Sequence, residues 1–506
     1  MTTLANDRVR SVLTSVVLGV WGLICATGAA QIVVGSVTFQ DRAARGEIVL
    51  GDIRGSIGII DYDNDGWFDL YIADIAGRPD RLFHNAPSPT APGGRTFVDA
   101  TALAGLDDSD GMSRGSGSVV VFDYNNDGFS DVFTAGYATD TTSGLLYRNN
   151  GDGTFSNVSV SAGVRVAGIV PESASATDFD HDGDVDLLIC PIIDATHAII
   201  LLQNNGNATF TSRPDLLPVP ATSGRCYAHG WTDYDDDGWT DALVCINSGV
   251  PLTLRNVPNP AGGRRFIDAT ASSGFTHVGP APMGIAMGDY DGDGDLDVAI
   301  TDASVGTYYE NVAGMLSEVT PFATFFGWGT TWLDAENDGD LDNYQAGSYS
   351  ASNIDFIWRN DGLGQWTNAR AALNTTSLPS QYCARVDFDN DGREDIITIN
   401  PGRFISVYHN QSPSGHHWAK VRLRGHATTH SNPTSLDAVG AVVRLTAGNK
   451  TLVRELGIGS SFAATEDLRA HFGLGTATVI DRIEVRWPRR GTPNERTDVY
   501  LSLIHI

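Results

Sequence analysis

A nine-residue pattern, D-x-D-x-D-G-x-x-D, recurs seven times along the chain, and repetition at a near-constant interval restricts the fold more than any local propensity. It first stands at Asp61-Tyr-Asp-Asn-Asp-Gly-Trp-Phe-Asp69 and opens again at Asp123, Asp178, Asp233, Asp289, Asp334 and Asp387. The intervals are 62, 55, 55, 56, 45 and 53 residues. Positions one, five and nine are Asp in every copy and position six is always Gly. Position three is Asp except for Asn125 and Glu336.

The flanks of each copy read as strands. An apolar run precedes the loop, as in Ser118-Val-Val-Val-Phe122, and another follows it, as in Leu70-Tyr-Ile-Ala73, Leu187-Leu-Ile-Cys190 or Ile396-Ile-Thr-Ile399. A third run ends in Asn: Leu82 to Asn85, Leu145 to Asn149, Phe356 to Asn360 and Ile405 to Asn410. A fourth opens on an aromatic, at Phe97, Phe155, Phe266 and Trp366. Four short strands per repeat, seven times over, predict an all-β chain built as a seven-bladed β-propeller over residues 38–414. Phe39-Gln-Asp41 is an aromatic-opening strand standing before the first loop, and none follows Asn410. Residues 38–42 are therefore expected to supply the outer strand of the last blade and close the ring.

Carboxylates on alternating residues of a tight turn converge on one point, and Gly at position six tolerates the positive φ that such a turn needs. The predicted metal ligands are Asp61, Asp63, Asp65 and Asp69; Asp123, Asn125, Asp127 and Asp131; Asp178, Asp180, Asp182 and Asp186; Asp233, Asp235, Asp237 and Asp241; Asp289, Asp291, Asp293 and Asp297; Asp334, Glu336, Asp338 and Asp342; Asp387, Asp389, Asp391 and Asp395. With a backbone carbonyl from position seven, a bidentate Asp at nine and one water, each loop offers seven oxygens, which suits Ca²⁺ better than Mg²⁺. An EF-hand is excluded, because its twelfth position must be Glu and here is Ile72 or Val244. The expected cofactor is up to seven Ca²⁺ ions, mainly structural. The charge balance agrees. The chain has 61 acids against 33 bases, a net −28, but 27 of the acids are these ligands, four per loop with Asn125 excepted. Seven ions would bring the charge to about −14. So few bases also argue against a nucleic-acid partner.

At this point the chain resembles the integrin-like FG-GAP (VCBS) repeat propellers with calcium loops. A second resemblance follows in residues 415–500: Ser431-Asn432, Asp437-Ala-Val-Gly-Ala441, Gly457-Ile-Gly459, His471-Phe-Gly-Leu-Gly475 and Val485-Arg-Trp-Pro488 are similar to the ASPIC/UnbV domain. That domain follows such propellers in the cartilage acidic protein family and its bacterial relatives. Pro433 and Val442 depart from the family pattern, which has basic residues there. The alternation of Val421 and Leu423 with charged residues predicts a small β-sandwich-like domain. Its 12 bases and 8 acids, against −32 for residues 1–414, leave two readings open: a basic module docked on the acidic ring, or a surface for an acidic partner.

Residues 1–30 read as an export signal, with Arg8 and Arg10 before an apolar run from Val12 to Ala26 and small residues at 28–30. No other segment has the length to span a membrane. The tail 501–506 has no assigned role. Gly111-Met-Ser113-Arg-Gly115 matches a hydrolase elbow but lacks the helix it requires. His416, His417, His426 and His430 form a candidate metal set, and Cys226 with Cys245 the best disulfide candidate; Cys190 and Cys245, in equivalent strands of neighbouring blades, read more readily as buried thiols. The function expected is an exported, monomeric binding or adhesion module, not an enzyme, with a protein or glycan ligand. The alternative is an extracellular enzyme or an accessory protein of a biosynthetic pathway.

Overall fold

In a computed structural model of the protein, each repeated loop joins two antiparallel strands, and the second of them always begins on the loop's ninth residue. The structure describes residues 38–505 except 42–54, 75–78, 90–93, 107–115, 137–143, 170, 194–197, 219–222, 277–278, 280, 305, 320–325, 348–354, 363–365, 374–379, 401–403, 414, 427–432 and 490–496. Residues 1–30, expected to be an export signal, and the hydrolase-elbow match lie outside the described residues.

The inner strands of the seven blades are Gly55–Ile60, Ser116–Phe122, Pro171–Thr177, Gly224–Thr232, Pro282–Gly288, Gly327–Leu333 and Tyr382–Val386. Each is followed across its loop by a second strand, then by a third and an outer one, all antiparallel. Inner strands pack on one another in order around the ring, including the last on the first. They are almost wholly buried, and their composition fits that burial: Val, Ile and small residues, with Gly where blades approach closely. At Gly58 a Cβ would stand 2.6 Å from Val119 Cγ1 of the next blade. The third and fourth blades are joined by an extra pairing, Ile192 with Arg225 and Ile193 with Gly224.

The seventh blade closes as the sequence predicts. Phe39, Gln40 and Asp41 pair with Asn410, His409 and Tyr408, and Gln411 donates its N–H to the Thr38 carbonyl at 2.8 Å. Phe39 is fully buried beside Tyr344, Leu373, Ile396 and Tyr408. Burial of one Phe contributes about 1.5–3 kcal/mol, and without this strand the edge at Phe404–Asn410 would be open. Deleting residues 38–42 should therefore lower the melting temperature of the ring; equal melting of truncated and untruncated protein would refute closure by this strand.

Residues after 415 form two sheets over a shared core of Val421, Val443, Leu445, Phe472, Ile483 and Val485. His417–Val421 pairs with Ala470–Gly475, and a four-stranded sheet runs Lys450–Glu455, Val442–Ala447, Val479–Arg486, Thr497–His505. The last strand reaches into the segment for which sequence assigns no role.

The connection between Lys450–Glu455 and Ala470–Gly475 enters the centre of the ring. Ile458 carbonyl accepts from Ala176 N–H at 3.2 Å, and Ser461 exchanges two backbone hydrogen bonds with Ile285. Ala463 carbonyl accepts from Val119 N–H, and Thr465 exchanges bonds with Ile57 and Ile59. Glu466 accepts from Arg385 N–H at 3.3 Å. Blades one, two, three, five and seven each bond this plug through the backbone of their inner strands, and Ser461 Oγ accepts from Thr330 N–H of blade six at 3.1 Å. Phe462 packs on Tyr227, Trp328 and Tyr382, in the halves of those strands remote from the repeated loops. The central channel is thus filled by a segment of the same chain.

Candidate functional site

The repeated loops share one backbone form. Position six has positive φ in all of them, from 85° at Gly392 to 101° at Gly294. Position four does too: Asn64, Asn126, His181, Asp236, Gly292, Asn337 and Asn390 have φ between 52° and 76°. Asn, Asp and Gly are the residues that adopt this region readily, so the sequence carried a second marker of the turn beside the invariant Gly. The first Asp accepts the N–H of the sixth residue, as Gly66 to Asp61 at 3.2 Å, Gly128 to Asp123 at 2.7 Å and Gly392 to Asp387 at 2.8 Å.

The ninth Asp has a dual task. In six of the loops one oxygen accepts the N–H of position two, for example Tyr124 to Asp131 at 3.1 Å, whereas in the fourth loop Asp241 Oδ2 has no donor. The other accepts the N–H of an Asn on the third strand, for example Asn149 to Asp131 at 2.7 Å. That Asn is the one ending the third run, and its side chain reaches the neighbouring blade. Asn149 Nδ2 donates to Tyr62 O, Asn204 to Tyr124 O, Asn256 to Phe179 O and Asn311 to Tyr234 O. Asn360 donates to Tyr290 O, Asn410 to Ala335 O and Asn85 to Phe388 O, which completes the circle. Each blade is thereby latched to the loop of its predecessor. Asn204, Asn256 and Asn311 belong to this set although their strands escaped the sequence pattern. Asn256→Leu would strand the buried carbonyls of Phe179 and Thr240, at about 1–3 kcal/mol each. A loss of about 2–4 kcal/mol is expected in urea unfolding; a change below about 0.5 kcal/mol would show the latch contributes nothing.

Predicted ligand residues of the first and third loops stand close together. Asp61, Asp63 and Asp65 place carboxylate oxygens within 4.8 Å of one another, as do Asp178, Asp180 and Asp186. Burial pushes the Asp61 carboxyl up to about 6, Asp123 and Asp233 to about 7, and Asp297 to about 8, with neighbouring carboxylates adding to the rise. Asp178, Asp186 and Asp342 stand well above the ordinary range for the same reasons. Asp61 Oδ1, Asp233 Oδ1, Asp241 Oδ2 and Asp389 Oδ1 are buried without a hydrogen-bond donor. A buried carboxylate oxygen in that state is costly unless a cation meets it, so the residues present fit a hard divalent ion.

In every blade but the second, where Arg148 bonds Asn150, the residue preceding the latch Asn faces the third position of the loop. Arg255 lies 2.6 Å from Asp235, Gln203 donates to Asp180 at 2.8 Å, and His409 lies 3.0 Å from Asp389. His84 lies 3.7 Å from Asp63. In the fifth loop this residue is Glu310, which adds negative charge beside Asp291.

The C-terminal domain covers the face of the ring that carries the loops, and it does so with its bases. Both lysines of the chain are used: Lys420 bonds Asp387, and Lys450 bonds Asp340 at 2.9 Å and the Asp338 carbonyl at 3.0 Å. Arg486 pairs with Asp233 at 2.9 Å and also with Asp236, Arg422 lies 3.8 Å from Asp61, and Arg469 donates to Asn390 at 2.8 Å. Asp437 Oδ2 accepts the Asp123 N–H at 2.6 Å, and His471 Nε2 meets Asn337 Oδ1 at 2.7 Å. Of the two readings left open for the basic domain, the structure shows the docked one. Beneath it Arg385 pairs with Glu394 at 2.5 Å and with Glu466 of the plug at 3.9 Å. The Arg385 guanidinium offsets burial enough to hold Glu394 down at about 2.

The remaining candidates fare differently. His416 Nδ1 donates to the Glu336 carbonyl at 2.9 Å and His417 lies on a strand of the C-terminal domain, while His430 is outside the described residues. The Cys226–Cys245 pairing is corrected: the four described cysteines are free, buried thiols. Cys245 stands opposite Ala228, because the strand shifts register between Cys226 and Ala228. Among the described residues, no helix is long and apolar enough to cross a membrane.

Residues 123–189 and 178–244 match the FG-GAP-like repeat family, and residues 429–500 match the ASPIC and UnbV family. Cartilage acidic protein 1 of Homo sapiens is 24% identical over 260 residues, a match covering 49% of this chain and 37% of that protein. The chain thus spans little more than a third of that relative. Among solved structures, BBS1N in complex with ARL6DN is 11% identical and covers 73% of this chain and 96% of its own, with a TM-score of 0.42. The extracellular domain of a hybrid two component system from B. thetaiotaomicron is 11% identical, covers 76% of this chain and 41% of its own, and has a TM-score of 0.43. The chain carries FG-GAP-like repeats and an ASPIC and UnbV domain.

Proposed function

We propose that this protein is an exported, calcium-loaded interaction module without catalytic activity of its own, in which the ions hold the blades and the C-terminal domain locks their loop face. The observation that carries the reading is the set of buried carboxylate oxygens without donors, at Asp61, Asp233, Asp241 and Asp389. When bound, Ca²⁺ supplies only charge and fixed oxygen geometry. The protein's own residues then do the rest: the ninth Asp fixes the second and third strands, and the latch Asn carries that order to the next blade. Affinity follows ligand charge, so the fifth loop, with Glu310 added, should bind most tightly and the second, with Asn125, least.

A binding role is supported by the filled channel, because the plug occupies the place where a ring of this kind would offer a central cavity. The loop face is engaged by the C-terminal domain, which leaves the opposite face for a protein or glycan ligand. Calorimetric titration of the full chain with Ca²⁺ and with Mg²⁺ tests the ion sites; several equivalents of Ca²⁺ and weaker Mg²⁺ are expected, and no Ca²⁺ heat would refute the reading. A glycan array and a pull-down, each with calcium and with chelator, test the partner class. Retention that ignores calcium would separate partner binding from the ion-held ring.

A further inference from the structure

The joint between the third and fourth blades holds a cluster that the calcium loops do not use. Cys190, Cys226 and His229 are all buried, and one ligand atom from each lies within 4.8 Å of the others. Their meeting depends on an irregularity. In a regular strand Cys226 and His229 point to opposite faces. Here the register shifts between Cys226 and Ala228, so Cys226 stands opposite Ile246 and His229 opposite Val244, two places apart on one face. Cys190, opposite Ser173, is brought alongside by the extra pairing of Ile192 and Ile193 with Arg225 and Gly224.

The hydrogen bonds around His229 settle its proton. Ser173 Oγ lies 3.0 Å from the Cys226 carbonyl, to which it donates, and 3.1 Å from His229 Nδ1. A hydroxyl has one proton, so Nδ1–H donates to Ser173, and in the neutral imidazole that leaves the lone pair on Nε2. Nε2 is buried and makes no hydrogen bond of ordinary geometry. A metal-ligating histidine is held in this way, with one nitrogen fixed by a neighbour and the other free to ligate.

We propose that Cys190, Cys226 and His229 form a buried site for a thiolate-seeking d¹⁰ cation, Zn²⁺ or Cu⁺. Two sulfurs and an imidazole select such ions over Ca²⁺, which takes oxygen. Zn–S bonds near 2.3 Å and Zn–N bonds near 2.0 Å put ligand atoms about 3.5–4 Å apart, within the spacing seen here. Binding ionises both thiols and releases two protons, and no electron changes hands. The ion would tie two blades at a place where no calcium loop reaches.

The test uses the full chain with calcium present throughout, produced with added zinc in one arm and with copper under reducing conditions in the other. One retained equivalent is expected, with X-ray absorption at that metal's edge showing two sulfur neighbours and one nitrogen; the arm that gives it identifies the ion. Cys190→Ser and Cys226→Ser should lose the sulfur signature, whereas Cys245→Ser, whose thiol lies outside the cluster, should keep it. Ser173→Ala should weaken affinity about 10–100-fold. A Cys190–Cys226 disulfide in unreduced peptide mapping would overturn the proposal. So would unmodified, natively folded protein that retains neither metal on sulfur, whatever the variants do.

Discussion

Chelation of calcium should lower the melting temperature of the full chain by on the order of 10–20 °C, at roughly 1–2 °C per kcal/mol for so large a unit. Each loop gathers three or four carboxylates on the strands that build a blade. Two like charges about 4 Å apart repel by about 4 kcal/mol at an effective dielectric near 20. Extracellular calcium modules bind at roughly 0.1–1 mM. At about 1 mM free calcium, a 0.1 mM site adds roughly 1.4 kcal/mol by linkage, and seven approach 10 kcal/mol, comparable to the stability of a whole domain. Calcium should restore the loss better than magnesium. The second loop, with Asn125, should be the first to empty at limiting calcium. Asp297→Ala should cost more than Asn125→Ala even without calcium, because Asp297 also accepts the N–H groups of Tyr290 and Asn311. Scanning calorimetry in calcium and in excess chelator decides the matter, and superposed curves would mean the loops hold nothing together.

The second large effect belongs to the plug. Phe462→Ala should destabilise the protein by about 3–5 kcal/mol, the range for removing a buried aromatic. Its ring centroid lies 4.7 Å from that of Trp328, 5.2 Å from Tyr382 and 5.7 Å from Tyr227, so the lost contacts come from blades four, six and seven together. The cavity cannot close easily, because the walls are inner strands fixed by their own ladders. Denaturant unfolding with calcium present measures it. Val98→Ala, at a half-exposed position on an outer strand, is the control and should change stability by less than about 0.5 kcal/mol. A Phe462→Ala value as small as the control's would mean the plug lies in the channel without bearing on its stability.

Much of this was legible in the sequence, for identifiable reasons. The ring and its closure could be read because each element repeats: a fixed loop, an Asn-ending strand and an aromatic-opening one, with Phe39 as the displaced copy. The first-position to ninth-position carboxylates were read for the same reason. The latch was visible only as an unexplained Asn, since its partner carbonyls lie 70 to 87 residues upstream in six blades and 303 residues downstream for Asn85. The plug left no periodic trace. Gly457 to Asp467 is short and rich in Gly, Ser and Ala, and what it bonds lies up to 408 residues away, at Ile57. The cysteine–histidine cluster was hidden because a strand bulge, which no residue type announces, puts Cys226 and His229 on one face.

Ring closure by Phe39–Asp41 also bears on how the protein must be made. The first described strand pairs with residues some 370 positions later, at Asn410 and Tyr408. Six blades can form in succession as the chain emerges, each from contiguous segments, but the seventh waits for both of its ends. Until then the nascent ring keeps an unpaired edge at Arg81–Pro87 only where Arg95–Asp99 has not yet folded onto it, whereas Phe404–Asn410 stays exposed unless residue 39 is at hand. The plug comes later still, from residues 457–467, and must find an already circular hole. Contacts this distant slow folding and lengthen the life of sticky intermediates. A chain stopped before its last fifth is therefore expected to leave an open, aggregation-prone ring and not a smaller working one.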